Sequence, residues 1–382
     1  MFARVRLVSA AIGAALLLAS CSQSGGDAVQ TASSEPVFHA EGNPERLSDW
    51  NLLRVSDGAL SLNDRVTAYD LNSSLFTDYA HKLRTVWLPE GQSANYAARE
   101  TFDFPVGTVI SKTFYYPVGD GDLLKEDDRT AERLKDGFVL SDVQLIETRL
   151  LIHREEGWVA LPYVWNEEQT DAVLKRTGDA QRLRMASGDS AQDFNYIVPN
   201  ANQCAGCHAT NATTKKIEPI GPKARHLNKA FAYRDGAQNQ LAAWTTAGLL
   251  SGAPDAGEAP RAAVWSDGSA SLDERARAYL DINCAHCHNR VGPADTSGLL
   301  LEHDAPVAQS LGLCKLPIAA GKGTGGRLYG IVPGKPDESI FHFRMESTDP
   351  SIMMPELGRS LAHTEGVALI DQWISEMPGA CS

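Results

Sequence analysis

The chain has 382 residues, 43% of them hydrophobic and 22% charged, which is the balance of a folded globular protein and excludes a disordered chain. A length of this size points to more than one domain. The formal net charge is −13 and the sequence holds no basic stripe, so nucleic acid is excluded as a natural partner.

In chain order, the first signal is an export segment. Arg4 and Arg6 form a basic start, and residues 7–18 are an apolar run of twelve, too short to span a bilayer and suited to a signal peptide. Leu18-Ala19-Ser20-Cys21 has the form of a lipoprotein processing site, with Cys21 as the lipid-bearing residue. Two or more acyl chains give a stable anchor. Ser22, standing where an Asp would signal inner-membrane retention, points to the outer membrane. Residues 1–20 are therefore the signal and 21–40, rich in Ser, Gly, Gln, Thr and Ala, a flexible tether.

Residues 41–195 read as a β-rich domain, of sandwich or barrel type. The stretch 108–116 is dense in β-branched and aromatic residues. Residues 147–153 and 158–165 form a hairpin around Arg154-Glu155-Glu156-Gly157. Residues 170–175 and 181–185 add strands. His81 and His153 in this region read as surface or satisfied core histidines rather than ligands.

Residues 196–262 open with Cys204-Ala205-Gly206-Cys207-His208, and residues 263–382 contain its second copy, Cys284-Ala285-His286-Cys287-His288. Each is Cys-x-x-Cys-His, the attachment signature of c-type haem. Two thiols at this spacing reach the two vinyl groups of one porphyrin, and the following histidine lies under the iron. Two covalent haems are expected, with His208 and His288 as proximal iron ligands. A thioredoxin-like pair would need only Cys-x-x-Cys beside a βαβ pattern, and a zinc site would not require a histidine after each pair.

After the first motif, residues 240–250 read as a helix carrying Trp244. No methionine lies between His208 and Trp244, so the distal ligand of the first haem is open: His226 is nearest, Met185 or Lys223 could serve, or the iron is five-coordinate. Ser271-Leu272-Asp273-Glu274 is a capping box starting a helix that runs into Cys284. Near the end Thr364 caps a helix with Val367, Ile370, Trp373, Ile374 and Met377 on one face, stopped by Pro378 and Gly379. Between them Met353-Met354-Pro355 supplies a thioether. Met354, directly before the proline, is the expected distal ligand of the second haem, with Met353 as the fallback. Of seven cysteines, Cys314 and Cys381 remain after the lipid site and the haem thiols are assigned, and an even remainder in an oxidising compartment predicts a disulfide.

The chain resembles a family of lipid-anchored dihaem c-type cytochromes of Gram-negative bacteria. The likeness rests on residues 18–21, on 217–225 (Ile-Glu-Pro-Ile-Gly-Pro-Lys-Ala-Arg), on 279–288 (Tyr-Leu-Asp-Ile-Asn-Cys-Ala-His-Cys-His) and on 353–358 (Met-Met-Pro-Glu-Leu-Gly). The resemblance implies electron transfer at the periplasmic side of the cell envelope, between redox partner proteins. The expected fold is α+β multidomain: an N-terminal β-rich domain followed by mainly α, cytochrome c-like haem units. Two other functions fit the motifs, a peroxidase-like enzyme with an open first haem and a redox-sensing binding module.

Overall fold

A computed structural model describes Met1 and residues 35–382, apart from 120–121, 126–128, 137, 188–189 and 320. The signal segment and Cys21 lie outside the described residues, as does the part of the tether before residue 35.

Residues 67–198 supply a nine-stranded sheet whose longest strands are rich in β-branched and aromatic residues. Its strands are β1 (Thr67–Tyr69), β2 (His81–Trp87), β3 (Val109–Gly119), β4 (Asp122–Leu123), β5 (Val143–Arg154), β6 (Gly157–Trp165), β7 (Ala172–Leu174), β8 (Asp179–Ser187) and β9 (Ser190–Val198). β3 is central. It pairs antiparallel with β2 on one side and with β5 on the other, and β6 and β7 extend the sheet beyond β5. At its far end β3 passes to β4, which leads on to the β8–β9 hairpin. The hairpin between β5 and β6 closes over Glu155 and Glu156, with Gly157 at φ +116°, a conformation that favours glycine.

Each face of the sheet has its own core. One face, with Leu83, Tyr115, Leu150 and Tyr163, packs against Trp50, Leu53, Leu60 and Phe138. Leu53 and Leu60 belong to a small sheet of residues Leu53–Ser56, Ala59–Leu62 and Phe138–Val139. The other face presents Val86, Ile110, Leu151 and Ala160. Against it pack Cys204, Leu227, Trp244 and Ile282, all from the haem-motif part of the sequence. Residues Ser34–Ser382 therefore form one compact unit.

This corrects the expected fold class. The protein is β-rich, built mostly of antiparallel sheets, and no mainly α cytochrome-like units are present among the described residues. These contain seven α-helices: α1 (Thr130–Asp136), α2 (Ala201–His208), α3 (Ala224–Leu227), α4 (Gln240–Thr246), α5 (Leu272–Cys284), α6 (Ile340–Glu346) and α7 (Thr364–Ser375). The segment after the first motif holds a two-stranded ribbon, Ala230–Tyr233 with Gly236–Asn239. Its residues Leu250–Ser251 pair with Ala94–Asn95 of the β region. Between α5 and α7 the Gly- and Pro-rich chain sustains only the short α6 and isolated 3-10 turns. The helical signals of α5 and α7 are real but local, and they do not represent the chain around them.

α5 is capped as its sequence requires, with Ser271 Oγ accepting from Glu274 N–H and the Glu274 carboxylate accepting from Ser271 N–H. α7 begins at Thr364 without a side-chain cap. The Thr364 N–H donates instead to Tyr79 Oη at 3.0 Å, a partner from the β region. α5 and α7 pack through Tyr279, Leu280, Ile370, Trp373 and Ile374. Trp373 Nε1 donates to Asp273 at 3.0 Å.

Candidate functional site

The first Cys-x-x-Cys-His segment is α2. Asn200 caps it in a reciprocal box with Gln203, at 2.9 Å in both directions. Cys204, Cys207 and His208 stand three and four residues apart and so share one helix face. The second segment ends α5 and continues as a turn, with Cys287 N–H and His288 N–H donating to Cys284 O at 3.1 and 2.9 Å. The Gly292 Cα lies against this turn. A Cβ there would fall 2.3 Å from Cys287 O, so the loop closes only with glycine.

Both motif histidines are held in one tautomer. His208 Nδ1 is 2.8 Å from Glu218 O. A carbonyl only accepts, so Nδ1 carries the proton and Nε2 keeps its lone pair. His288 Nδ1 is 3.1 Å from Ser297 Oγ, whose single hydrogen is committed to Ala294 O at 2.6 Å. Ser297 therefore accepts from His288, and Nε2 is again left free. Burial is the main cause that lowers both rings' pKa, to about 3 for His208 and about 4 for His288, which keeps them neutral.

The second segment opens on a cavity of about 800 Å³ lined by Cys284, Cys287, His288, Tyr279, Arg344 and Met354. This volume lies in the range of cofactor pockets, roughly 300–1,000 Å³. Two thiols, an imidazole with a free Nε2 and a thioether facing one largely apolar cavity is the donor set a c-type haem takes, so the residues present fit that group. Met353 lies elsewhere, packed and 6% exposed. Met354 is fixed from both sides of its peptide unit. Its N–H donates to Arg344 O at 2.9 Å, and its carbonyl accepts from Arg359 at 3.0 Å. Buried Arg359 also donates to Ser347 O at 2.8 Å and to Leu361 O at 3.0 Å. Asp78 anchors the loop beyond, accepting from Ser360 N–H and Leu361 N–H at 2.7 and 2.8 Å.

The two segments meet. Cys287 Sγ is 3.7 Å from Gly206 O, across 81 sequence positions. Ala212 N–H donates to Val291 O at 2.6 Å, and Asn289 donates to Thr210 O at 3.4 Å. Gly206 and Cys207 join the lining of the same cavity.

None of the four motif cysteines is in a disulfide, and burial raises all of their thiol pKa values, to about 12 for Cys284 and Cys287. A thiol–disulfide catalyst needs the opposite shift. Among the described residues no three His, Cys, Asp or Glu side chains are gathered as a zinc site needs.

His226 is 2% exposed and its Nε2 donates to Asp281 Oδ2 at 3.2 Å. Asp281 also accepts from Arg225 at 2.7 and 2.9 Å. Those donors hold the Asp281 carboxyl far below the usual carboxylate range, and burial lowers the His226 pKa. His226 does not line the cavity. Met185 packs with Leu183, Phe194 and Tyr196, a cluster separate from the one that holds Cys204. Lys223 precedes α3, near Arg225 and Asp281. Cys314 and Cys381 are joined, with Cα atoms 5.3 Å apart. His153 stacks on Trp158 at 4.6 Å and bonds Phe104 O at 2.9 Å, as a core histidine does.

Several residues of the site gave no sequence signal. His286, a spacer within the second motif, is 8% exposed and lines the cavity. Arg359 sits in a Gly-Arg-Ser stretch that reads as a surface loop. On the sheet, Arg84, Lys112 and Arg149 are register partners across β2, β3 and β5 and form one cationic row. A row built from three distant segments has no trace in local sequence.

Comparison with protein-family models, curated proteins and solved structures finds no match to this chain. No helix among the described residues is long and apolar enough to cross a membrane.

Proposed function

We propose that this protein is an electron carrier holding two covalent c-type haems, one on Cys204, Cys207 and His208 and one on Cys284, Cys287 and His288. The observation that carries the reading is the meeting of the two segments at Cys287 and Gly206, each segment with a histidine whose Nδ1 is occupied and whose Nε2 is free. The haem iron would supply one-electron exchange between Fe(III) and Fe(II).

The chain's own residues hold and orient. Glu218 and Ser297 fix the imidazole tautomers, and such partners orient a metal ligand and raise its basicity. Arg359 and Arg344 fix Met354 as the thioether donor of the second site. Phe76, Tyr279 and His363 wall the cavity with stacked rings, with His363 4.3 Å from Phe76. The contact between the segments holds two attachment sites side by side, which a relay between a donor and an acceptor requires. The signal segment and Cys21 support a lipid anchor on the periplasmic side of the envelope.

Expression of the full chain in a host that attaches c-type haem tests the reading. Pyridine haemochrome analysis should give two haems per chain, and acid–acetone should extract none. Extractable haem, or no haem, overturns it.

A further inference from the structure

Lys112 is the one member of the cationic row without a partner. Arg84 donates to Asp70 at 2.8 Å and to Ser74 at 2.9 Å. Arg149 holds Glu147 through two bonds of 2.8 and 2.5 Å. Lys112 has no hydrogen bond or ion pair among the described residues, and its amine lies only over the Phe114 ring, 5.2 Å from the centroid. An amine set into a protein without a partner is costly, so such a group commonly marks a place where something else binds.

Its position says what. Lys112 shares a sheet face with Ile110, and Ile110 packs in the cluster that includes Cys204 of the first motif. The amine acts electrostatically on His208 and on Cys207, and it is the charged group with the largest effect on the His208 ring. Arg84 and Arg149 flank Lys112 on the two neighbouring strands. Of the other donors for the first site, His226 is engaged on Asp281 and Met185 lies within its own core cluster, while Lys223 stands just before α3 beside Arg225 and Asp281.

We propose that Lys112 Nζ, reaching from the central strand of the sheet, is the distal ligand of the iron bound at Cys204, Cys207 and His208. This rests on the function proposed above. It gives the β-sheet a direct role in that function, because the sheet then completes a site that the motif segment leaves unfinished.

The test compares the full chain, loaded with haem, with its Lys112→Ala, Lys112→Arg and His286→Ala variants. Haem per chain is counted first, and electron paramagnetic resonance spectra are then recorded on the oxidised proteins. The parent should show two low-spin signals. Lys112→Ala and Lys112→Arg should both keep two haems but convert one signal to high spin, and added imidazole should restore low spin. Arginine keeps the charge and the fold but does not ligate iron. If Lys112→Arg retains the parent spectrum, the amine is a charge partner of a haem propionate and the proposal fails. It fails too if the parent already has a high-spin haem, or if His286→Ala rather than the Lys112 variants causes the conversion. Absence of covalent haem from the parent overturns the proposed function itself, and is distinguished by the first count.

Discussion

Cys287 Sγ lies 3.7 Å from the carbonyl oxygen of Gly206, so the two Cys-x-x-Cys-His segments touch although 81 positions separate these residues. A buried ion pair also ties the two parts of the chain together. Arg225, 17 residues after His208 by its number, binds Asp281, which lies on α5 just before Cys284, with two bonds of 2.7 and 2.9 Å.

Asp281→Asn should therefore destabilise the protein by about 3–5 kcal/mol, because it leaves Arg225 without its buried partner. Urea denaturation with a lowered midpoint and unchanged slope is the expected result. Asp281 has a folded-state pKa held below its ordinary value of 3.8. Its contribution is thus fully present above that value and is lost as the pH falls below it. The variant should lose less stability than the parent between neutral pH and the acid range.

Met354→Ala should remove the weak red absorption of an Fe(III)–thioether bond and lower the potential of one haem only, read by redox titration. Met353→Ala should leave that band in place. It should cost about 2–5 kcal/mol of stability, since Met353 is 6% exposed and its removal opens a core cavity.

Arg359→Ala should act on the second site without touching iron. It strips donors from the carbonyls of Met354, Ser347 and Leu361, each worth roughly 1–3 kcal/mol when left buried and unpaired. A weakened thioether band together with reduced stability is expected. An intact band would show that Met354 is held by other contacts.

Cys314→Ser with Cys381→Ser opens a loop with a sequence separation of 67. The chain-entropy model gives a loss of roughly 4 kcal/mol. A fall in the urea midpoint should follow, with both haems retained.

Local chemistry was legible in the sequence, and long-range placement was not. Ser271 with Glu274 announces the start of α5, and Glu155, Glu156 and Gly157 announce the β5–β6 turn, because capping and turn chemistry act over a few residues. The motif cysteines and histidines were legible because they recur at one fixed spacing within five residues. The mainly α haem units failed as an expectation because α5 and α7 were read as typical of a region whose Gly and Pro content breaks helices elsewhere. Thr364 looked like a cap, yet Tyr79 from the β region satisfies its N–H. The Arg84–Lys112–Arg149 row and the loop ties of Arg359 arise from strand register and tertiary packing, which no window of sequence contains.

Covalent attachment of one haem to each segment can be read from the intact mass of the purified full chain. The parent should carry the added mass of two haems. Cys204→Ala with Cys207→Ala should carry one, Cys284→Ala with Cys287→Ala should carry one, and the fourfold variant none. A parent chain without added mass, or an added mass that the cysteine replacements leave unchanged, would rule out covalent haem at these cysteines.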